Sequence, residues 1–390
     1  MPTLSSKLHS SEIAPAVIQS EIRAMSVECD RVGGINLAQG ICDTELPDVV
    51  AEGAVSAIHD GFNIYTRLDG ILPLREAIAA KLKSYNQLNV DPEREVLVTN
   101  GATGALYASL LALLNPGDEV ILFEPFYGYH VSTLISLRLK PVIVPLASQT
   151  WDLDLDAVRK AVTPRTRAII INTPSNPSGK VFDKEELAVL AELAIEHDLF
   201  AFTDEIYEYF LFDGREHLSL ATLPGMKERT ITISGLSKTF SITGWRVGYL
   251  AADARWLGAI GYFHDLTYVC SPAPFQFGTA AGLRQLAGSD FYSNLSVEYE
   301  AKRDQICVAL SDAGLTPSIP AGAYYVLADA SRIEGSDAKE RARTLLKATG
   351  IGAVAGSAFF RPGYGEHLLR FCFGKRSADL ERACDLLRKL

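Results

Sequence analysis

Between residues 95 and 252, short apolar runs alternate with segments in which apolar positions recur every three to four residues. The runs fall at 95–100 (EVLVTN), 119–125 (EVILFEP), 140–146 (KPVIVPL), 167–174 (RAIIINTP), 199–205 (LFAFTDE), 230–234 (TITIS) and 247–252 (VGYLAA). Helical periodicity intervenes at 104–114 and 184–197, and further helices are predicted upstream at 13–25 and 74–87. Strands that are apolar throughout, rather than at every second position, are buried on both faces. The pattern therefore predicts an α/β fold, a mainly parallel seven-stranded sheet flanked by helices. Near residue 290 the pattern changes. One long charged amphipathic helix is expected over 291–314, followed by short strands in GAYYVLAD, IGAVAG and LLRFCFG and by helices over 337–349 and 378–390. This reads as a smaller α+β C-terminal domain. The expected division is an N-terminal arm with part of the smaller domain (1–45), a large domain (46–288) and the small domain (289–390).

Length and composition narrow the class. A chain of 390 residues exceeds what one hydrophobic core comfortably serves, which agrees with two lobes. At 48% hydrophobic and 22% charged residues it has ample material for a core. A net charge of −10, with no basic block, argues against a nucleic-acid partner or an anionic membrane surface. The six cysteines (Cys29, Cys42, Cys270, Cys307, Cys372, Cys384) are dispersed, without CxxC pairs or zinc-ligand spacing. The first residues lack the apolar core of a secretory signal, and no apolar run approaches the roughly 18 to 20 residues that span a bilayer. A cytoplasmic protein is expected.

Several residues that carry chemistry stand at predicted strand ends, where open α/β sheets bind ligands. Asp204 closes one strand, with Tyr207 three residues on; a carboxylate there is as readily a helix cap. Asn176 lies in NTPSNPSG, which alone is simply a turn. Gly101-Ala102-Thr103 leads from a strand into a helix, a junction where backbone N–H groups and the helix dipole favour an anion, or else a tight turn with no ligand. Neither GxGxxG nor GxxxxGK[ST] is present. Tyr127 follows another strand and could be core, rim or an aromatic platform. The stretch SGLSKTFSITGWRVGY (234–249) contains only two charges, Lys238 and Arg246, and a neutral run of this kind suggests burial. Taken together, one sheet edge would present an anion-binding helix start, an aromatic face, an amide, a carboxylate, a phenol, an amine and a guanidinium. Pyridoxal phosphate needs that inventory.

SKTFSITGWRVGY, NTPSNPSG and TDEIY, in this order and at these separations, resemble three signatures of the class I/II (fold-type I) pyridoxal-phosphate-dependent aminotransferase family. The likeness runs from about Ile13 to the C-terminus. It implies that Lys238 holds pyridoxal 5'-phosphate covalently as a Schiff base and later moves the substrate proton. It further implies that Asp204 keeps the ring nitrogen protonated, that Tyr207 and Asn176 bond the ring's 3-oxygen, and that Tyr127 stacks on the ring. Gly101, Ala102, Thr103, Ser237 and Arg246 would hold the phosphate. By the same resemblance, Tyr65 in NIYTRLDG reaches the partner's phosphate in a homodimer. Arg370 in LLRFCFG, with Gly40 and Asn176, binds the substrate carboxylate.

Two positions depart from the family pattern. Gly235 stands where many relatives carry a phosphate-binding serine, for which Ser234 or Ser237 could compensate. Ile41 and Cys42 replace the usual GxPDF context, and Cys42 reads as a pocket-lining residue rather than a nucleophile. The implied activity is ping-pong transfer of an amino group from an L-amino acid to a 2-oxo acid. A β-lyase, cyclase, synthase or oxidase on the same scaffold is the alternative. No Lys or Arg occurs between Trp256 and Arg284, which favours neutral, aromatic or sulfur-containing substrates, although Arg67 could clamp an acidic side chain.

Overall fold

The computed structural model describes residues 8–17, 21–147 and 150–390. Its first strand is the short β1 (Ile35–Asn36). Seven strands follow: β2 (Val96–Thr99), β3 (Glu119–Glu124), β4 (Lys140–Pro145), β5 (Thr166–Asn172), β6 (Phe200–Asp204), β7 (Thr230–Ser234) and β8 (Gly248–Ala251). They form one sheet in the order β2-β8-β7-β6-β5-β3-β4. All neighbours are parallel except β8, which runs antiparallel to both β2 and β7. The seven predicted strands are thus the seven observed ones, and their continuous apolar character reflects burial between two helical layers.

The reversed β8 has a consequence for chemistry. The carboxyl ends of β2, β5, β6 and β7 share one edge, and because β8 is reversed its first residue lies there too. Arg246 and Val247, just before β8, are therefore delivered to the edge that carries Asn172, Asp204 and Ser234.

The C-terminal region contributes β9 (Thr316–Ser318), β10 (Tyr325–Asp329), β11 (Ile351–Gly352), β12 (Val354–Ala355) and β13 (Leu368–Cys372). Four of these make an antiparallel sheet in the order β12-β13-β10-β9, while β11 pairs in parallel with β1. The helix Phe291–Asp312 and the helix Ser377–Leu387 close this region. Met25, Cys29, Leu37 and Ala38 share its core with Tyr325, Phe371 and Leu380.

Helix boundaries differ from expectation where prolines and caps intervene. The expected helix over 13–25 is not one element. Pro15 sits in a single 3₁₀ turn, Ala14–Ala16, and residues 18–20 lie outside the described residues. An α-helix spans Glu21–Arg31, extended past Met25 because Cys29 continues its buried stripe. The helix expected over 74–87 spans Leu72–Ser84; Pro73 opens it, and Gln87 adopts a positive φ of 58° beyond its end. Among the described residues, no helix is long and apolar enough to cross a membrane.

Candidate active site

Asn172, the last residue of β5, pins the edge together. Its amide nitrogen donates to the Asp204 carbonyl at 2.9 Å, and its amide oxygen accepts from the Asn176 N–H at 2.8 Å. The loop carrying Asn176 is thereby tied to the strand carrying Asp204. The Asp204 carboxylate pairs with His130 Nε2 at 3.0 Å, and His130 is buried on the helix Gly128–Ser136. Tyr127 immediately precedes that helix. Its ring stacks on Tyr129 at 5.2 Å and meets His130 edge-on at 5.3 Å. Burial pushes the Tyr127 phenol well above its ordinary range.

Lys238 follows β7 and is half-buried. Its Nζ donates to the Gly40 carbonyl at 3.0 Å and lies 5.9 Å from the centre of the Tyr207 ring. Removal from water lowers its pKa below that of an ordinary lysine, which raises the fraction of nucleophilic free amine. The Tyr207 hydroxyl meets that of Tyr325 at 2.9 Å. Arg370, on β13, is fully buried. Its Nη1 donates to Asn176 Oδ1 at 2.9 Å and its Nη2 to the Ala38 carbonyl, while its Nε has no partner. Among the described residues, no carboxylate forms an ion pair with it. A buried guanidinium without a counter-ion is costly, so this one is poised for an anion from outside.

At the other end of the site, Gly101 opens the helix Gly101–Leu113 with a φ of +70°. A Cβ here would overlap the Arg246 guanidinium, and one on Gly248 would overlap the backbone of Gly101 and Ala102. The two glycines let the arginine and the helix start lie against each other. Arg246 is itself left-handed (φ 56°) and donates to the Thr243 carbonyl at 3.0 Å. Contrary to the reading of its neutral surroundings, the Arg246 side chain is exposed, because the 3₁₀ turn Thr243–Trp245 carries it out of the core.

A cavity of about 170 Å³ joins these groups, with Ala102, Thr103 and Tyr127 on one side, Asn176, Asp204 and Tyr207 on another, and Ser237, Lys238 and Arg246 closing it. Gly40, Gly101 and Arg370 adjoin it through Lys238, Arg246 and Asn176. Tyr65 stands apart, 80% exposed.

Ser234 is no substitute phosphate ligand, since its hydroxyl is buried and donates to Glu208 at 2.7 Å. Ser237 lines the cavity. A Cβ on Gly235 would sit 3.0 Å from Gly248 Cα, so glycine allows β7 and β8 to approach closely here. Cys42 is buried, its thiol pushed up by desolvation, which makes it inert as a nucleophile. Arg67 is exposed and its guanidinium is bound to Asp69 by two bonds of 3.0 Å.

Three residues escaped the sequence reading: Asn172, His130 and Tyr325. Asn172 stood four positions before Asn176, and His130 in the same FEPFYGYH segment as Tyr127. Nothing in GAYYVLAD separates Tyr325 from a core tyrosine.

Comparison with known proteins identifies the family. Residues 32–387 match the family model described as aminotransferase class I and II. The chain belongs to that family. It is 38% identical to a probable N-succinyldiaminopimelate aminotransferase of Mycobacterium tuberculosis over 92% of this chain and 93% of the relative. A solved N-succinyldiaminopimelate aminotransferase structure from that organism superposes with a TM-score of 0.94 at 37% identity, covering 98% and 100% of the two chains. An aromatic-amino-acid aminotransferase of Thermococcus litoralis is 36% identical over 95% of each chain. An Escherichia coli structure described as having a methionine aminotransferase function superposes at 0.93 with 31% identity, over 98% and 100%. This aminotransferase is thus a fold-type I enzyme that depends on pyridoxal phosphate and acts on amino acids and 2-oxo acids. The residues present fit the cofactor. Arg246 and a helix start suit its phosphate, the Asp204 carboxylate its ring nitrogen, and the Lys238 amine its aldehyde.

Proposed function

We propose that the enzyme transfers the amino group of a neutral, aromatic or sulfur-containing L-amino acid, with the roles inferred from sequence carried by the residues gathered at this edge. Arg370 binds the substrate α-carboxylate through its planar fork, with Asn176 and the Gly40 backbone beside it. The observation that carries this assignment is the fully buried Arg370 guanidinium with an unpartnered Nε and no carboxylate of its own among the described residues. Lys238 holds the cofactor, and its Nζ, freed when substrate binds, takes the proton from the substrate Cα. Asp204, oriented by His130, keeps the ring nitrogen protonated, and Tyr207 and Asn176 donate to the 3-oxygen. Tyr127 covers the ring face, while Gly101, Ala102, Thr103, Ser237 and Arg246 hold the phosphate. Bound pyridoxal phosphate supplies a sink for the electron pair left when the Cα–H bond breaks.

The substrate class rests on what adjoins the site. A cavity of about 590 Å³ shares Tyr127, Tyr129 and Thr133 with the cofactor cavity, and its lining combines Phe126, Val131, Phe359 and Phe360 with the charged Glu21, Arg23 and Arg361. The aromatic and aliphatic part of that lining suits an apolar side chain. Arg67 is engaged by Asp69 and Arg361 by Glu124, so neither is a free clamp for an acidic side chain.

The active species we propose is a cytoplasmic homodimer in which Tyr65 reaches the partner's phosphate; its exposure beside exposed Ile64 and Phe62 supports such a contact. The division into residues 1–45, 46–288 and 289–390 is retained as the domain proposal, supported by the core that the N-terminal segment shares with the C-terminal sheet.

The test is a half-reaction. Holoenzyme is mixed with single amino acids while absorbance, 2-oxo acid, ammonia and thiol are followed. Conversion of the cofactor to its amino form with equimolar 2-oxo acid is expected for phenylalanine, tyrosine or methionine at lower concentrations than for aspartate or glutamate. Preference for the dicarboxylates would sink the substrate assignment.

A further inference from the structure

Tyr325 lies at the junction of the two halves of the site and has no place in the roles given above. On β10 it pairs with Cys372 of β13, which makes Arg370, two residues from Cys372, its diagonal neighbour on the same face. The Arg370 guanidinium lies 4.5 Å from the centre of the Tyr325 ring and 4.8 Å from that of Phe359. The Tyr325 hydroxyl reaches past Arg370 to the Tyr207 hydroxyl at 2.9 Å, with the two rings perpendicular at 5.6 Å. Gly40 makes room for it, since a Cβ there would overlap the Tyr325 oxygen.

Both phenols are buried and neutral, so the pair carries two hydroxyl hydrogens but makes a single bond between them. Among the described residues neither hydroxyl has another hydrogen-bonding partner, which leaves one hydrogen without a protein acceptor. Tyr207 lines the cofactor cavity, whereas Tyr325 does not.

We propose that Tyr325 is a positioning residue: it donates its hydrogen to the Tyr207 oxygen, so that the hydrogen of Tyr207 is left for the 3-oxygen of bound pyridoxal phosphate, while its ring seats Arg370. The inference rests on the reading of Tyr207 as a donor to that oxygen. Accepting one hydrogen bond makes a hydroxyl a stronger donor of the next. A stronger donor favours the anionic 3-oxygen of the deprotonated cofactor–Lys238 linkage and lowers the pH at which that linkage loses its proton. One side chain would then touch both the cofactor's partner and the carboxylate clamp.

The experiment is a pH titration of the visible absorbance band of the holoenzyme, for wild type, Tyr325→Phe, Tyr207→Phe and the double variant. Tyr207→Phe is expected to raise the midpoint by about 1 to 2 pH units, the worth of a hydrogen bond to a charged oxygen. Tyr325→Phe, which keeps the ring on Arg370, is expected to raise it by about 0.3 pH unit. It should also lower kcat while leaving the amino-acid KM unchanged. The double variant should match Tyr207→Phe, because Tyr325 acts through Tyr207. A wild-type midpoint in Tyr325→Phe beside a shifted one in Tyr207→Phe overturns the proposal and leaves the reading of Tyr207 standing. No shift in either overturns both. A double-variant shift equal to the sum of the singles means that Tyr325 acts independently of Tyr207, which also overturns the proposal.

Discussion

Lowering the pH should loosen the phosphate end of the site through one buried imidazole. His264, on the helix Ala254–Tyr268, is fully buried, and its Nε2 accepts the Asn100 N–H at 3.1 Å, one residue before Gly101. That bond requires an unprotonated Nε2. Burial enforces this state, pushing the imidazole from its ordinary 6.5 down to about 4, against a small opposing pull from Asp265. The unfolded chain thus takes up a proton below about pH 6.5 that the folded chain refuses until about pH 4. This stabilisation is complete above the unfolded value and is lost as pH falls towards the folded one. At pH 5 the loss is about 2 kcal/mol, approaching about 3 kcal/mol below both values. The perturbation is His264→Gln, whose amide oxygen can accept the same bond and does not titrate. Urea unfolding of both proteins at pH 7 and pH 5 provides the measurement. Wild type should lose about 2 kcal/mol more than the variant across that interval. Equal losses would show that His264 is not the titrating group and refute the reasoning.

Other perturbations separate the parts of the site. Lys238→Ala should abolish both the visible band of the holoenzyme and turnover; a variant that still turns over would remove Lys238 from its assigned role. Arg370→Gln should lower kcat/KM by roughly 10- to 150-fold, mainly through KM. A kcat effect with unchanged KM would place Arg370 elsewhere than on the substrate carboxylate. Lys81→Met should destabilise the fold by about 3 to 5 kcal/mol, because it strands Glu208, which Lys81 and Asn86 hold in the interior. Lys81→Met combined with Glu208→Gln should recover part of that loss in the same unfolding assay, and no recovery would mean that the pairing is not what stabilises the region.

What the sequence made legible depended on how local the signal was. The seven strands were readable because parallel strands buried on both faces leave uninterrupted apolar runs. The residues at their carboxyl ends followed from the same pattern. Contacts closed across long stretches of chain left no such mark. His130 reaches Asp204 across 74 positions, Tyr325 reaches Tyr207 across 118, and Arg370 reaches Asn176 across 194. Each joins residue types that would be unremarkable in their own segments. The exposure of Arg246 was hidden for a different reason, since a neutral run reports the average of its residues and not the turn that lifts one of them outward.

The segment TDEIYE shows why the motif holds more than the resemblance assigns to it. Asp204 and Tyr207 face the cavity, whereas Glu205 and Glu208 point to the opposite side into a buried network. Glu205 accepts from Thr203, Ser219 and His217 at 2.7 to 2.9 Å, and Glu208 from Ser234 and Asn86 at 2.7 and 2.8 Å. Tyr85 caps the Glu208 carbonyl at 2.6 Å. Glu205, Glu208 and His217 bring their ligating atoms within 4.8 Å of one another, a spacing that could suit a metal ion, but the Lys81 ammonium already supplies the cation there. The lower carboxylates therefore anchor the turn from beneath, through hydrogen bonds made without the cofactor. The groups above it can then be held in place before any ligand arrives, as a site built to stabilise developing charge requires.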